Sequence, residues 1–143
     1  MLVNLTANDI ADRWGKIRQS IIETYPSFMP ITMEELTNIL STIMSGQMDV
    51  YEIQTDQGTA IGYLTTVINR DYCVGIKSLF VYTLWTNGAM TRRIWLEGWK
   101  QLVGIARAKG CKKIIGLSNI KSVIDMVKWM GGNAEMTYIE LEV

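Results

Sequence analysis

An α/β fold, one mixed sheet with helices on both faces, is predicted by three observations. Two N-terminal stretches carry apolar residues at helical spacing. Three consecutive stretches then alternate in the manner of antiparallel strands. Finally, one long amphipathic segment joins two apolar strand-like runs, a pattern that calls for a parallel crossover. The 143 residues suit a single domain spanning 1–143, and no repeat, low-complexity tract or linker divides them.

Thr6 is placed to cap a first helix, with Asp9 three residues on, and Ile10, Trp14, Ile17, Ile21 and Tyr25 recur along one face until Pro26 stops it. A loop with two prolines, Tyr25 to Ile31, leads to a second cap, Thr32 with Glu35, and to the apolar face Leu36, Ile39, Leu40 and Ile43, closed by Gly46. Strands follow at Met48–Gln54, Thr59–Asn69 and about Cys73–Leu84, joined by turns at Asp56-Gln-Gly58 and Asn69-Arg-Asp71. The longest helix spans about Thr91 to Lys109, with Trp95, Trp99, Leu102, Val103 and Ala106 on its core face. Gly98 and Gly104 within it are read as sites of close packing, since each costs roughly 1 kcal/mol relative to Ala. A short buried strand at Lys112–Ser118 is expected to run parallel to the Cys73–Leu84 strand, which places Cys73 and Cys111 in different strands. Asn119 opens a loop, Val123 to Met130 forms a last helix stopped by Gly131-Gly132, and the alternation of Thr137, Ile139, Leu141 and Val143 predicts a terminal strand.

Composition removes several function classes. Lys+Arg and Asp+Glu are 14 each, which argues against an electrostatic nucleic-acid binder. No apolar run approaches a membrane span, and the first residues lack the basic-then-apolar order of a secretory leader. Two cysteines without a Cys-x-x-Cys pair, and no histidine, leave no metal site and no disulfide framework and point to a reducing, cytoplasmic setting. The absence of histidine also excludes Ser-His and Cys-His nucleophilic mechanisms.

The element order, with Ile76-Lys-Ser-Leu-Phe-Val81, the long helix, Ala106-Arg-Ala-Lys-Gly110-Cys-Lys-Lys-Ile-Ile115, Asn119 and Lys128-Trp-Met-Gly131, resembles the acyl-CoA N-acyltransferase (GNAT) superfamily over roughly residues 76–132. The resemblance implies acetyl transfer from acetyl-CoA to a primary amine. The cofactor would lie along Val81 and Thr83, in the loop Asn87, Gly88, Ala89 and Met90, at the helix start Thr91, Arg92 and Arg93, and near Asn119. The warrant is that free N–H groups and the macrodipole at a helix N-terminus attract a pyrophosphate. Arg92 and Arg93 there oppose the dipole and call for a counter-ion, either a ligand anion or a carboxylate such as Glu97. Tyr25, Phe28 and Met29 fall where the family places acceptor-binding residues, and also where a Pro-rich corner would pack.

The sequence departs from the family in its catalytic groups. The family pattern, Arg or Gln followed by Gly-x-Gly or Gly-x-Ala, is not present; Met126 or Val127 stands where a Tyr acid is expected, and the Cys73–Leu84 strand carries no carboxylate. Glu52 is the nearest acidic candidate, and Tyr82 is the titratable side chain placed to donate a proton. Only eleven residues follow Gly131-Gly132, so one wall of an acceptor cleft is short or comes from another chain. The compact chain, the worn loop and the five tryptophans also resemble small bacteriophage GNAT-like proteins of virion or head assembly, which implies protein partners or a homo-oligomer instead of turnover.

Overall fold

A computed structural model describes residues 1–143. The elements follow the order β1 (Leu2–Asn4), α1 (Ala7–Thr24), α2 (Met33–Met44), β2 (Met48–Gln54), β3 (Ala60–Asp71), β4 (Ile76–Thr86), α3 (Arg92–Ala108), β5 (Lys113–Gly116) and α4 (Lys121–Trp129). They build a five-stranded sheet in the order β1-β2-β3-β4-β5. Pairs from β1 to β4 are antiparallel, and β4 and β5 are parallel, as the crossover through α3 requires.

Both N-terminal helices begin with reciprocal caps. The Thr6 hydroxyl accepts from the Asp9 N–H while the Asp9 carboxylate accepts from the Thr6 N–H, and Thr32 and Glu35 repeat the arrangement. Their apolar faces lie on one side of the sheet, where Ile10, Ile17, Ile21, Leu36, Ile39 and Ile43 pack against Met48, Val50 and Tyr63. On the other side Leu102 and Ala106 of α3 cover Tyr51, Leu64, Leu79 and Cys111, and Ile94 covers Ile53 and Ile61. Alternation along β2 divides its residues between these two cores. At Gly62 the β3 backbone approaches β4 so closely that a Cβ would collide with the Trp85 carbonyl oxygen.

Five expectations need correction. β1 was not anticipated, because three residues carry too little periodicity; it exists by pairing Leu2, Val3 and Asn4 with Ile53, Glu52 and Tyr51. The β3–β4 turn falls later than Asn69–Asp71. Strand β3 runs through Asp71, whose carboxylate accepts from the Cys73 and Val74 N–H groups at 2.9 and 3.3 Å, and Cys73 is therefore exposed in a turn. Cys111 is buried, but it precedes β5 instead of belonging to it. Gly104 meets nothing within 4 Å of a notional Cβ, and Gly98 only Leu2 at 4.0 Å, so neither marks a close approach. Finally, residues 130–143 form no strand. Alternation assigns side chains to faces but supplies no partner, and no strand of this sheet pairs with that segment. No helix is long and apolar enough to cross a membrane.

Candidate active site

The site is organised by two irregularities of β4. First, its pairing with β5 ends at Val81–Gly116, although β4 itself continues to Thr86. Beyond Val81 the β5-facing edge of β4 is therefore unpaired. Second, Thr65 pairs with Thr83 while Thr66 pairs with Val81, which leaves Tyr82 as the extra residue of a β-bulge. The bulge directs Tyr82 to the α1 side, where its ring meets Tyr25 (centroids 6.2 Å apart) and Phe80 (6.0 Å), both edge to face.

These three rings line a cavity of about 340 Å³, completed by Pro26 and Ser27 of the α1–α2 loop, Leu117 after β5, and Tyr138 and Glu140 of the C-terminal segment. The Ser27 hydroxyl donates to a Glu140 carboxylate oxygen at 2.5 Å and so ties that segment to the loop. Burial, with smaller contributions from Tyr25, Glu35 and Tyr138, raises the Tyr82 phenol well above its ordinary pKa. Tyr138 is also raised, chiefly by Glu140. Tyr82 thus stays protonated and can donate a hydrogen bond, but giving its proton outright to a thiolate, whose conjugate acid titrates at about 8.5, is uphill.

At the far end of β4, Asn87 donates its N–H to the Ile61 carbonyl, and its side-chain oxygen accepts from the Ala89 N–H at 3.1 Å. Gly88 adopts φ +90°, with nothing within 4 Å of a notional Cβ. Thr91 caps α3 by accepting from the Ile94 N–H, whereas the N–H groups of Arg92 and Arg93 have no acceptor within the chain. Arg93 is engaged by Asp56 and Glu97, and the Arg92 guanidinium lies 4.1 Å from the Trp129 ring centroid. Strand rise places Thr86, where β4 ends before the loop to α3, about 13 Å from Tyr82.

The anticipated site residues thus divide. Tyr25 and Tyr82 meet in the cavity, while Phe28 and Met29 are exposed outside its lining, so neither packs a hydrophobic corner. Val81 packs towards the α3 core. Thr83 is buried with its hydroxyl 2.6 Å from that of Thr65 and its N–H donated to the same Thr65 oxygen, so neither group is open to a ligand. Met90 packs against the Ile53–Ile61–Ile94 cluster, and Trp85 packs on the α1 side with its indole N–H donated to Glu23; neither residue lines the cavity. Asn119 is exposed just before α4. Glu52 is buried in an ion pair with Arg13 (3.1 Å) and accepts from the Gln54 amide (2.7 Å), away from the cavity. Sequence reading missed Pro26, Ser27, Phe80, Leu117, Tyr138 and Glu140 as lining residues. For the last two a signal existed, since they form the opposite parity of the Thr137–Val143 alternation.

No family model and no curated protein matches the chain by sequence. Solved structures do match it in fold. A predicted acetyltransferase with acetyl-CoA from Clostridium acetobutylicum superposes over 99% of this chain and 95% of its own at 14% identity (TM-score 0.71). AAC(6')-Iy in complex with a CoA-containing bisubstrate analogue covers 100% and 97% at 15% identity (TM-score 0.70). A putative acetyl transferase from Pyrococcus furiosus covers 100% and 99% at 15% identity (TM-score 0.68). The mixed five-stranded sheet, its helices and the crossover through α3 are thus those of a GNAT-like acetyltransferase fold.

Proposed function

We propose that this protein is an N-acetyltransferase that moves an acetyl group from acetyl-CoA to a primary amine, with low turnover. The observation that carries the reading is the continuous path along β4: a cavity at the Tyr82 bulge, an unpaired β4 edge beyond Val81, and free N–H groups at the α3 start. The residues present suit acetyl-CoA. The N–H groups of Arg92 and Arg93 are orphan donors at the positive end of a 17-residue helix, and Gly88 leaves room for close approach. Asn87, Gly88, Ala89 and Thr91 shape that loop, and Asn119, exposed just before α4, is assigned to the cofactor by the family resemblance alone. Val81 and Thr83 set the strand path and offer no side-chain donor.

Acetyl-CoA, when bound, supplies the acyl thioester. The aromatic wall of Tyr25 and Tyr82 orients the acceptor amine, while Phe28 and Met29 stand exposed on the same loop, outside the lining. As the new C–N bond forms and the C–S bond breaks, the amine's proton passes to solvent. Tyr82 donates a hydrogen bond to the departing sulfur, which takes its own proton from water. No carboxylate or imidazole base stands within the β4 strand, so positioning and backbone polarisation carry the rate, without the roughly 10²–10⁴-fold that general acid–base help supplies. Calorimetric titration with acetyl-CoA, followed by a thiol-release assay over a panel of amines, tests the reading. Tight binding with slow amine-dependent release supports it; absence of acetyl-CoA binding rejects it.

One observation favours a second, non-catalytic reading as an assembly or binding protein of the phage GNAT-like kind. Ile139 and Leu141 are 85% and 84% exposed on the outward parity of the C-terminal segment, an apolar stripe suited to a protein partner. Sedimentation of the protein alone, together with a null acetyl-CoA titration, would favour that reading if it showed a concentration-dependent oligomer.

A further inference from the structure

We infer that the cavity at the Tyr82 bulge selects a monocationic amine with an apolar, ring-sized body, and that Glu140 is the residue that recognises its positive charge. The inference deepens the acyl-transfer reading and rests on it for the fate of the amine, though not for its binding.

The lining combines Tyr25, Phe80, Tyr82 and Tyr138 with a single charged side chain, Glu140, and contains no Lys or Arg. Aromatic faces attract a cation as well as an apolar body, so this wall accepts both parts of an arylalkylammonium. At about 340 Å³ the cavity lies at the small end of ligand sites, enough for one ring on a short arm. The Glu140 carboxylate is held in the cavity wall by the Ser27 hydroxyl at 2.5 Å. Ser27 and the neighbouring Tyr138 hydroxyl together use two of about four acceptor positions of the carboxylate, and an ammonium can take another. A further carboxylate, Glu35 in the first turn of α2, is near enough to contribute to raising the Tyr82 phenol, although its oxygen already accepts from the Thr32 N–H. A ligand bearing its own carboxylate or phosphate is repelled by the same groups. Glu140 is therefore a specificity-determining residue, not a base: the amine is held as the cation and reacts only after losing a proton to solvent.

The test is calorimetric titration of the protein without acetyl-CoA, using phenethylamine, its uncharged counterpart phenethyl alcohol, and phenylalanine, which adds a carboxylate. The wild type should bind phenethylamine about tenfold or more tighter than either of the others. A hydrogen-bonded charge lost at a half-exposed site corresponds to about five- to tenfold, so Glu140→Gln should weaken phenethylamine by that factor and leave phenethyl alcohol within about twofold. Glu140→Asp, which keeps the charge, should retain the preference for the amine and guards against a merely structural effect. Equal binding of amine and alcohol by the wild type, an equal loss of both in Glu140→Gln, or no phenethylamine binding at millimolar concentration would each overturn the assignment. A separate titration with acetyl-CoA keeps the two ideas apart. Amine binding without acetyl-CoA binding would leave the cavity assignment standing and remove acyl transfer. The converse would remove the cavity assignment alone.

Discussion

The hydroxyls of Thr65 and Thr83 face each other at 2.6 Å across β3 and β4, immediately beside the bulge that expels Tyr82 from the ladder. The Thr65 oxygen also accepts the Thr83 N–H at 3.1 Å, replacing a ladder bond that the bulge disrupts. Thr65→Val removes the acceptor and strands two buried donors, so it should destabilise the protein by about 1–3 kcal/mol. Denaturant unfolding measures this loss, and Thr83→Val added to Thr65→Val should recover part of it.

Tyr82→Phe isolates the phenol's role. Because the phenol is raised above its ordinary range, it acts by hydrogen bonding and not by proton transfer, and its removal should cost less than the ~10²-fold at the low end of general acid catalysis. A thiol-release assay should show kcat lowered about tenfold with acetyl-CoA affinity unchanged. A loss of a thousandfold would make Tyr82 a true acid, and no loss would remove it from the reaction.

Arg92 and Arg93 should separate on substitution. Arg93 is exposed and neutralised by Asp56 and Glu97, so Arg93→Ala should leave stability and acetyl-CoA affinity nearly unchanged. Arg92 is held over Trp129 and opposes the dipole without a carboxylate partner, so Arg92→Ala should weaken acetyl-CoA several-fold. Calorimetry on the two single variants decides whether either arginine serves an anion.

The Arg13–Glu52 pair is structural. Glu52 is nearly inaccessible, and Arg13→Ala would leave its charge uncompensated, at a cost of about 2 kcal/mol after allowance for the partial exposure of Arg13. The double variant Arg13→Met with Glu52→Leu should cost less than the sum of the single changes.

Alkaline pH should expose the buried phenols. Tyr51 is pushed up to about 12 by burial and then by Asp49, and Tyr82 is raised also. A raised folded-state pKa means the stabilisation is complete below the unfolded value near 10 and is lost as pH climbs towards the folded value. Unfolding free energy should therefore be level with respect to these groups up to about pH 10 and fall between there and about 12. Tyr51→Phe should flatten that fall, as read by denaturant titrations alongside tyrosinate absorbance.

Local chemistry made most of the architecture legible in the sequence. Thr6–Asp9 and Thr32–Glu35 announce two helix starts, the Trp99–Leu102–Ala106 face announces the crossover, and the crossover implies that β5 lies parallel to β4. These signals are written in residues within a turn of one another, where capping and periodicity operate. The site was only partly legible. Tyr25 and Tyr82 were anticipated, but their contact depends on a bulge created by the pairing of Thr65 and Thr66 with Thr83 and Val81, and pairing between strands is not a local property. The Thr137–Val143 alternation sorted Tyr138 and Glu140 onto one face, but the segment pairs with no strand of the sheet, and Tyr138 and Glu140 instead line the cavity, tied to the α1–α2 loop by the Ser27–Glu140 bond. By itself the sequence determined the four helices, the strands from β2 to β5 and the parallel crossover, but neither β1 nor the fate of the C-terminal segment, because helix caps and side-chain periods act over a few residues while strand pairing does not. Only the tertiary structure decided which carboxylates are available: Glu52 is committed to Arg13 and Glu140 faces the cavity, because each depends on contacts between residues 39 and 113 positions apart in the chain.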